Sequence, residues 1–155
     1  MAPPSIISRL NGLLGAVGGF LRCPFLLAVR LYWGWQFMQT GWGKLHNLER
    51  TTKFFASLGI PAPGLNAIVA SGTELTCGAL LALGLLSRFA SPALICVMCV
   101  AYATADREAL HALFTNPDKF LSADEFLFLL AATTVFVFGP GRIALDTLVF
   151  RERGD

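Results

Sequence analysis

The chain has 155 residues, of which 55% are hydrophobic and only 14% charged, with a net charge of +2. An ordinary soluble domain carries about 25% charged residues, and a fold this short must cover a large surface with polar groups. The composition therefore excludes a free-standing soluble enzyme. The scattered charge excludes a nucleic-acid binder, which needs a concentrated basic stripe. One integral membrane domain is the class that remains, and the lipid bilayer is its first partner.

Residues 1–23 form a lead-in. Arg9 is followed by a soft apolar run interrupted by Gly12, Gly15, Gly18 and Gly19, which reads as an interfacial or flexible arm rather than a cleaved signal or an extra span. Residues 24–149 form the membrane domain, and residues 150–155 a polar tail. A membrane helix needs roughly 20 mostly apolar residues, and four stretches approach that. Residues 24–42 contain one charge, Arg30; residues 63–86 contain one, Glu74; residues 89–105 contain none; residues 123–138 are uncharged beyond Glu125. Cys23-Pro24, Ala62-Pro63 and Ser91-Pro92 place proline in a first helical turn, where its missing N–H costs least. Ser122 with Glu125 reads as a capping box. Gly41, Gly43, Gly59 and Gly139 fit helix ends.

The connections differ in kind. Residues 44–60 mix charges with Phe54, Phe55 and Leu58, the pattern of a short amphipathic helix at the membrane interface. Ser87-Arg88 marks a tight helical hairpin. Residues 106–121 are polar and acidic, with Leu110, Leu113 and Phe114 spaced for one amphipathic turn or two. The predicted fold is all-α: a four-transmembrane-helix bundle with a short interfacial helix between spans one and two. Four spans place Arg9, Arg22, Arg88, Arg142, Arg151 and Arg153 on one side, against Lys44, Arg50, Lys53, Arg107 and Lys119 on the other. That bias favours cytoplasmic termini.

Arg30 and Glu74 are the two charges well inside the spans. A charge at the centre of a membrane helix costs about 2.5–3.5 kcal/mol on insertion scales, and such residues are paired or functional. In antiparallel neighbours they lie about 9 Å and about 18 Å from the same side at 1.5 Å per residue, a gap that an arginine side chain largely bridges. The pair reads either as a structural ion pair locking two helices or as a proton-handling or quinone-head-group site. Arg30, Gly34, Phe37 and Gly41 share one helix face; Glu74, Gly78, Leu81 and Arg88 share another. Small residues on an inward face let membrane helices approach closely, so each charged face is also a packing face. Gln36, Gln39 and Thr40 either extend a polar interior or make interhelical hydrogen bonds. Trp42 fits an interfacial anchor. Trp33 and Trp35 lie deeper and either flank a planar ligand or face lipid. Lys44, with His46 nearby, either meets a head group or snorkels to the interface. Cys96-Val-Met-Cys99 lacks the helix-start or cationic setting that activates a thiol and reads as packing. His46 and His111 are isolated, and no metal-ligand spacing is evident.

These motifs, in this order, resemble the DoxX family of small bacterial membrane proteins, within the DoxD-like group. The first span from Arg30 through Gly41-Trp-Gly-Lys44-Leu45 resembles that family's opening signature. Phe55-Ala-Ser-Leu-Gly59-Ile-Pro61 resembles its interfacial turn. Glu74 through Gly78 and Gly84 to Arg88 resembles its second-span pattern, and Gly139-Pro-Gly141 to Asp146 its closing motif. The resemblance covers residues 24–146. It implies a four-helix bundle in the bacterial cytoplasmic membrane, with Arg30, Gly41, Lys44, Glu74, Arg88 and Asp146 as pattern positions. Relatives are associated with quinone-linked oxidation, including a thiosulfate:quinone oxidoreductase; others in the wider group act as carriers. The resemblance thus implies a redox-associated, quinone-linked membrane subunit. In it Glu74 and Arg30 would carry the chemistry, and Trp33, Gly34, Phe37, Lys44 and Gly78 would line the cofactor site. The alternatives are a non-catalytic accessory or structural subunit of a larger membrane complex and a small-molecule carrier; the partners expected are the bilayer and either protein partners in a membrane complex or further copies of the chain.

Overall fold

The computed structural model describes residues 6–149, so the polar tail expected at 150–155 lies outside the described residues. Eight helices are described, and no strand occurs among these residues: α1 (Ile6–His46), α2 (Leu48–Ser57), α3 (Pro63–Leu83), α4 (Ser87–Thr104), α5 (Arg107–His111), α6 (Pro117–Leu121), α7 (Asp124–Phe138) and α8 (Leu145–Val149). Three of them, α1, α3 and α4, are long and apolar enough to cross a membrane. The expected fourth span, α7, has 15 residues, about 22 Å at 1.5 Å per residue, against a hydrocarbon core of about 30 Å.

α1, α3, α4 and α7 form a ring in which each packs on the next and α7 closes onto α1. Its core is apolar: Phe37, Leu81, Leu94, Met98, Ala132 and Val135. Phe128 of α7 meets Trp33 and Phe37 edge-on, with ring centroids 5.0 and 4.7 Å apart, the arrangement that aromatic quadrupoles prefer. Large apolar side chains such as Ile68, Leu130 and Val137 remain exposed on the outside of the bundle. A bundle that turns such a surface outward suits a bilayer as solvent.

Local signals placed several ends well. Pro63 opens α3, Gly139 closes α7, and Gly59 follows α2. Others act differently. Pro24 lies inside α1, which runs unbroken from the lead-in into the first long apolar stretch; a proline removes one N–H from the ladder, and helix continues on both sides of it here. Gly41 and Gly43 are also inside α1, and Pro92 lies inside α4, which starts at Ser87. Ser122 does not cap α7. It ends α6, its hydroxyl donates to Lys119 O at 3.2 Å, and Ala123 takes the cap position.

The three-residue hairpin between α3 and α4 explains the early start of α4. Gly84 adopts φ +70°, and Leu86, a non-glycine residue, is held at φ +49°. Asp146 compensates: its Oδ1 accepts from Leu86 N–H at 2.6 Å and its Oδ2 from Ser87 N–H at 3.1 Å. The carboxylate thus caps the positive end of α4 from the far end of the chain. Asp146→Ala should lower stability by about 0.5–2 kcal/mol, read as a lower thermal midpoint in detergent, whereas Asp146→Asn, keeping one acceptor, should lose less. Equal midpoints for all three proteins would refute this role.

Candidate functional site

Close backbone contact sets the register of α1 against α3. A Cβ on Gly34 would lie 2.7 Å from Ala82 N and 2.8 Å from Gly78 O; one on Gly78 would lie 2.8 Å from Phe37 Cβ. One on Gly41 would lie 2.6 Å from both Leu75 N and Ser71 O. Only glycine admits this approach. The helices run antiparallel in a register that places Arg30 beside Gly84 and Glu74 beside Gly41.

That register separates the two charges expected to pair. Arg30 is 1% exposed and donates to two backbone carbonyls, Pro140 O at 2.5 Å and Ile143 O at 2.8 Å, while Asp146 supplies counter-charge through space. Arg30 thus fastens the non-helical run after α7 to α1. Glu74 is also 1% exposed, and its partner is Lys44: Nζ lies 2.5 Å from Oε1. The paired charges are therefore Lys44 and Glu74, not Arg30 and Glu74. The physical reason is level. Glu74 lies one turn deeper than the end of α1, within reach of a lysine stem directed inward, whereas Arg30 lies level with the α3–α4 hairpin about 15 Å along the helix axis. A buried carboxylate needs a counter-charge or donors, and Lys44 answers that need.

Lys44 and Glu74 lie on the wall of a cavity of about 1260 Å³. The short helix α2 folds over one side. Thr51 on it donates to Lys44 O at 3.2 Å and Asn47 O at 3.1 Å, which pins α2 to the end of α1. From α2 and the turn after it, Phe54, Phe55, Leu58 and Ile60 give the cavity an apolar wall, and Val97 and Val100 of α4 give another. Arg50, Thr104, Asp106, Arg107 and Glu125 bring polar groups to it. The carboxylate of Asp106 lies close enough to that of Glu125 to oppose its charge. Glu125 Oε2 is buried with no hydrogen-bond partner. Sequence patterning assigned Glu125 to helix capping, so this acidic contact was missed; only the folding of the 106–121 connection brings Asp106 to it. The same connection is tied by Lys119, whose ammonium donates to Glu108 at 2.6 Å and holds that exposed carboxyl below its ordinary value through this hydrogen bond and its charge.

Of the residues expected at the site, Lys44 and Glu74 meet at this cavity, and Gln39 and Thr40 also line it. Gly34 and Gly78 are consumed by backbone contact, Phe37 is fully buried in the core, and Trp33 packs on Phe128. They support the site by fixing helix register and do not line it. Cys96 and Cys99 are exposed rather than packed in the core, and both are free thiols. A smaller cavity of about 490 Å³ lies by the α3–α4 hairpin, beside Arg88 and Asp146; the Asp146 carboxylate is engaged in capping there.

Compared with known families, the chain matches the DoxX family model over residues 25–107. Neither a curated protein nor a solved structure matches it.

Proposed function

The chain belongs to the DoxX family, and we propose that it is a redox-associated membrane subunit whose large cavity holds the head group of a lipid-soluble quinone. The observation that carries this reading is the Lys44–Glu74 pair set into a cavity with apolar walls. Polar groups at one point in an apolar cleft are the usual composition of a small-molecule site. The residues fit a quinone. Lys44 offers N–H donors to a ring carbonyl, Glu74 holds that ammonium at the cavity wall, and Phe54, Phe55 and Val100 line the space for ring and tail. The quinone would supply the electron-accepting chemistry when bound; the chain's own residues bind it, orient it and exclude water.

The topology that goes with this reading has four crossings, α7 being the last. Its length falls short of the hydrocarbon core, and the following run 139–144 is non-helical. Unpaired backbone is tolerated at membrane depth only where protein satisfies it, and Arg30 does so for Pro140 and Ile143. Both termini then lie on the cytoplasmic side of a bacterial inner membrane, and the cavity opens beside α2 on the opposite face. Protein partners, or further copies of the chain, would deliver or remove electrons.

Binding of a short-chain benzoquinone to the purified protein in lipid nanodiscs tests the reading. Lys44→Met should weaken binding by about tenfold or more, the worth of one charge-assisted hydrogen bond, with helical content retained. Unchanged affinity in this variant would remove Lys44 from the site, and no affinity in the parent protein would remove the quinone.

A further inference from the structure

We infer that the cavity selects the reduced, hydroxyl-bearing form of its ligand, a quinol, over the quinone, and that the second carboxylate oxygen of Glu74 makes the selection. The inference rests on the quinone reading above and deepens it.

Glu74 lies near the middle of α3, lines the cavity and is 1% exposed. Its Oε1 is taken by Lys44. Its Oε2 is buried without any hydrogen-bond partner. A buried carboxylate oxygen left without a donor is costly, and the great majority of such atoms are satisfied. The oxygen accepts and does not donate while the group is ionised opposite Lys44. What completes it is therefore a donor, an O–H or N–H brought in by a ligand. The hydroxyls on the adjoining helix turns are committed: that of Thr40 donates to Phe37 O, that of Ser71 to Ala67 O and that of Thr51 to Lys44 O and Asn47 O.

The two forms of a quinone differ in this respect. A quinone carbonyl only accepts. It can take an N–H from Lys44, but it leaves Oε2 unsatisfied. A quinol hydroxyl accepts from Lys44 and donates to Oε2 at once, so both members of the pair are served by one ligand oxygen. Oε2 is closed to solvent in this arrangement, so a side chain must yield on entry. Lys44, a flexible four-carbon stem on the last turn of α1 and itself 36% exposed, is the member of the pair that can. Glu74 has less room, being 1% exposed on a helix closely packed against α1 at Gly41.

The experiment compares three probes under anaerobic conditions by calorimetry in nanodiscs: a short-chain benzoquinol, the matching quinone, and the quinol dimethyl ether, which keeps the oxygens and has no donor. The quinol should bind about tenfold or more tightly than either of the others, the factor expected of a hydrogen bond to a charged acceptor. Glu74→Gln should reverse the order. Lys44 can only donate, so it holds the amide oxygen, and the amide N–H₂ then sits where Oε2 was and favours a carbonyl. Equal affinity for quinol and quinone, or for quinol and ether, would overturn the selection while leaving the quinone site standing; no affinity for any probe would overturn both. The comparison among probes on the parent protein decides the matter even if Glu74→Gln does not fold.

Discussion

Replacing Arg30 with methionine is expected to detach the closing segment of the chain from the bundle and to destabilise the whole domain. The buried guanidinium serves Pro140 O and Ile143 O through part-buried hydrogen bonds, and a carbonyl left without its donor there costs up to roughly 1–3 kcal/mol. Against a total stability of about 5–15 kcal/mol for a typical domain, that loss is large. Lysine should not rescue it. Two divergent carbonyls are spanned by the fork of a guanidinium, and an ammonium is a single point. The position of Gly84 sharpens the case: a Cβ there would collide with Arg30 Nη1, so Gly84→Ala should reproduce part of the Arg30→Met phenotype, with added strain from its φ of +70°. Denaturant unfolding in micelles, with hydrogen exchange read over residues 139–149, checks this. A methionine variant that unfolds at the parent midpoint, with residues 139–149 equally protected, would show that Arg30 is not the fastening.

The second large effect is expected from Gly41→Leu. The new side chain would start 2.6 Å from the backbone of α3 at Leu75 N and Ser71 O. Backbone atoms inside a helix cannot give way as a side-chain tip can. Overpacking of this kind costs about 1–3 kcal/mol and more where nothing yields. It also separates α1 from α3 at the level where Lys44 meets Glu74, so ligand binding should fall with stability. Gly72→Leu supplies the control: it lies in the same helix pair, on α3, yet a Cβ there meets nothing within 4 Å, and its effect should stay within about 0.5 kcal/mol. Parallel losses in the two variants would mean that substituting any helical glycine matters, rather than close approach at Gly41. The two outcomes are separated by thermal unfolding and quinone-analogue binding on the same preparations.

Class and helix content were readable from the sequence because each depends on a short local window. A run of apolar residues fixes whether a segment prefers lipid, and that suffices for α1, α3 and α4. The faces carrying Arg30 and Glu74 were also readable, since helical periodicity places Gly34, Phe37 and Gly41 with one charge and Gly78 and Leu81 with the other. All of these residues are buried where the helices meet, whereas Arg88, set on the second face by the same periodicity, lies beyond the hairpin in α4 and is exposed. Caps were less secure. Ser122 fits a capping box in sequence, yet its hydroxyl serves the end of α6, because α6 finishes immediately before α7 and claims it first.

The sequence by itself determined that this is an all-helical membrane protein of the DoxX kind, with charges in its interior that require partners. Only the tertiary structure decided which partners they have. Depth measured from span ends put Arg30 near Glu74. The glycine contacts at 34, 41 and 78 set a register in which Lys44 turns inward to Glu74 and Arg30 reaches instead to the 140–143 backbone. Local rules act over three or four residues. The partners of a buried charge are chosen by how two helices slide past one another, and here by a segment more than a hundred residues away along the chain.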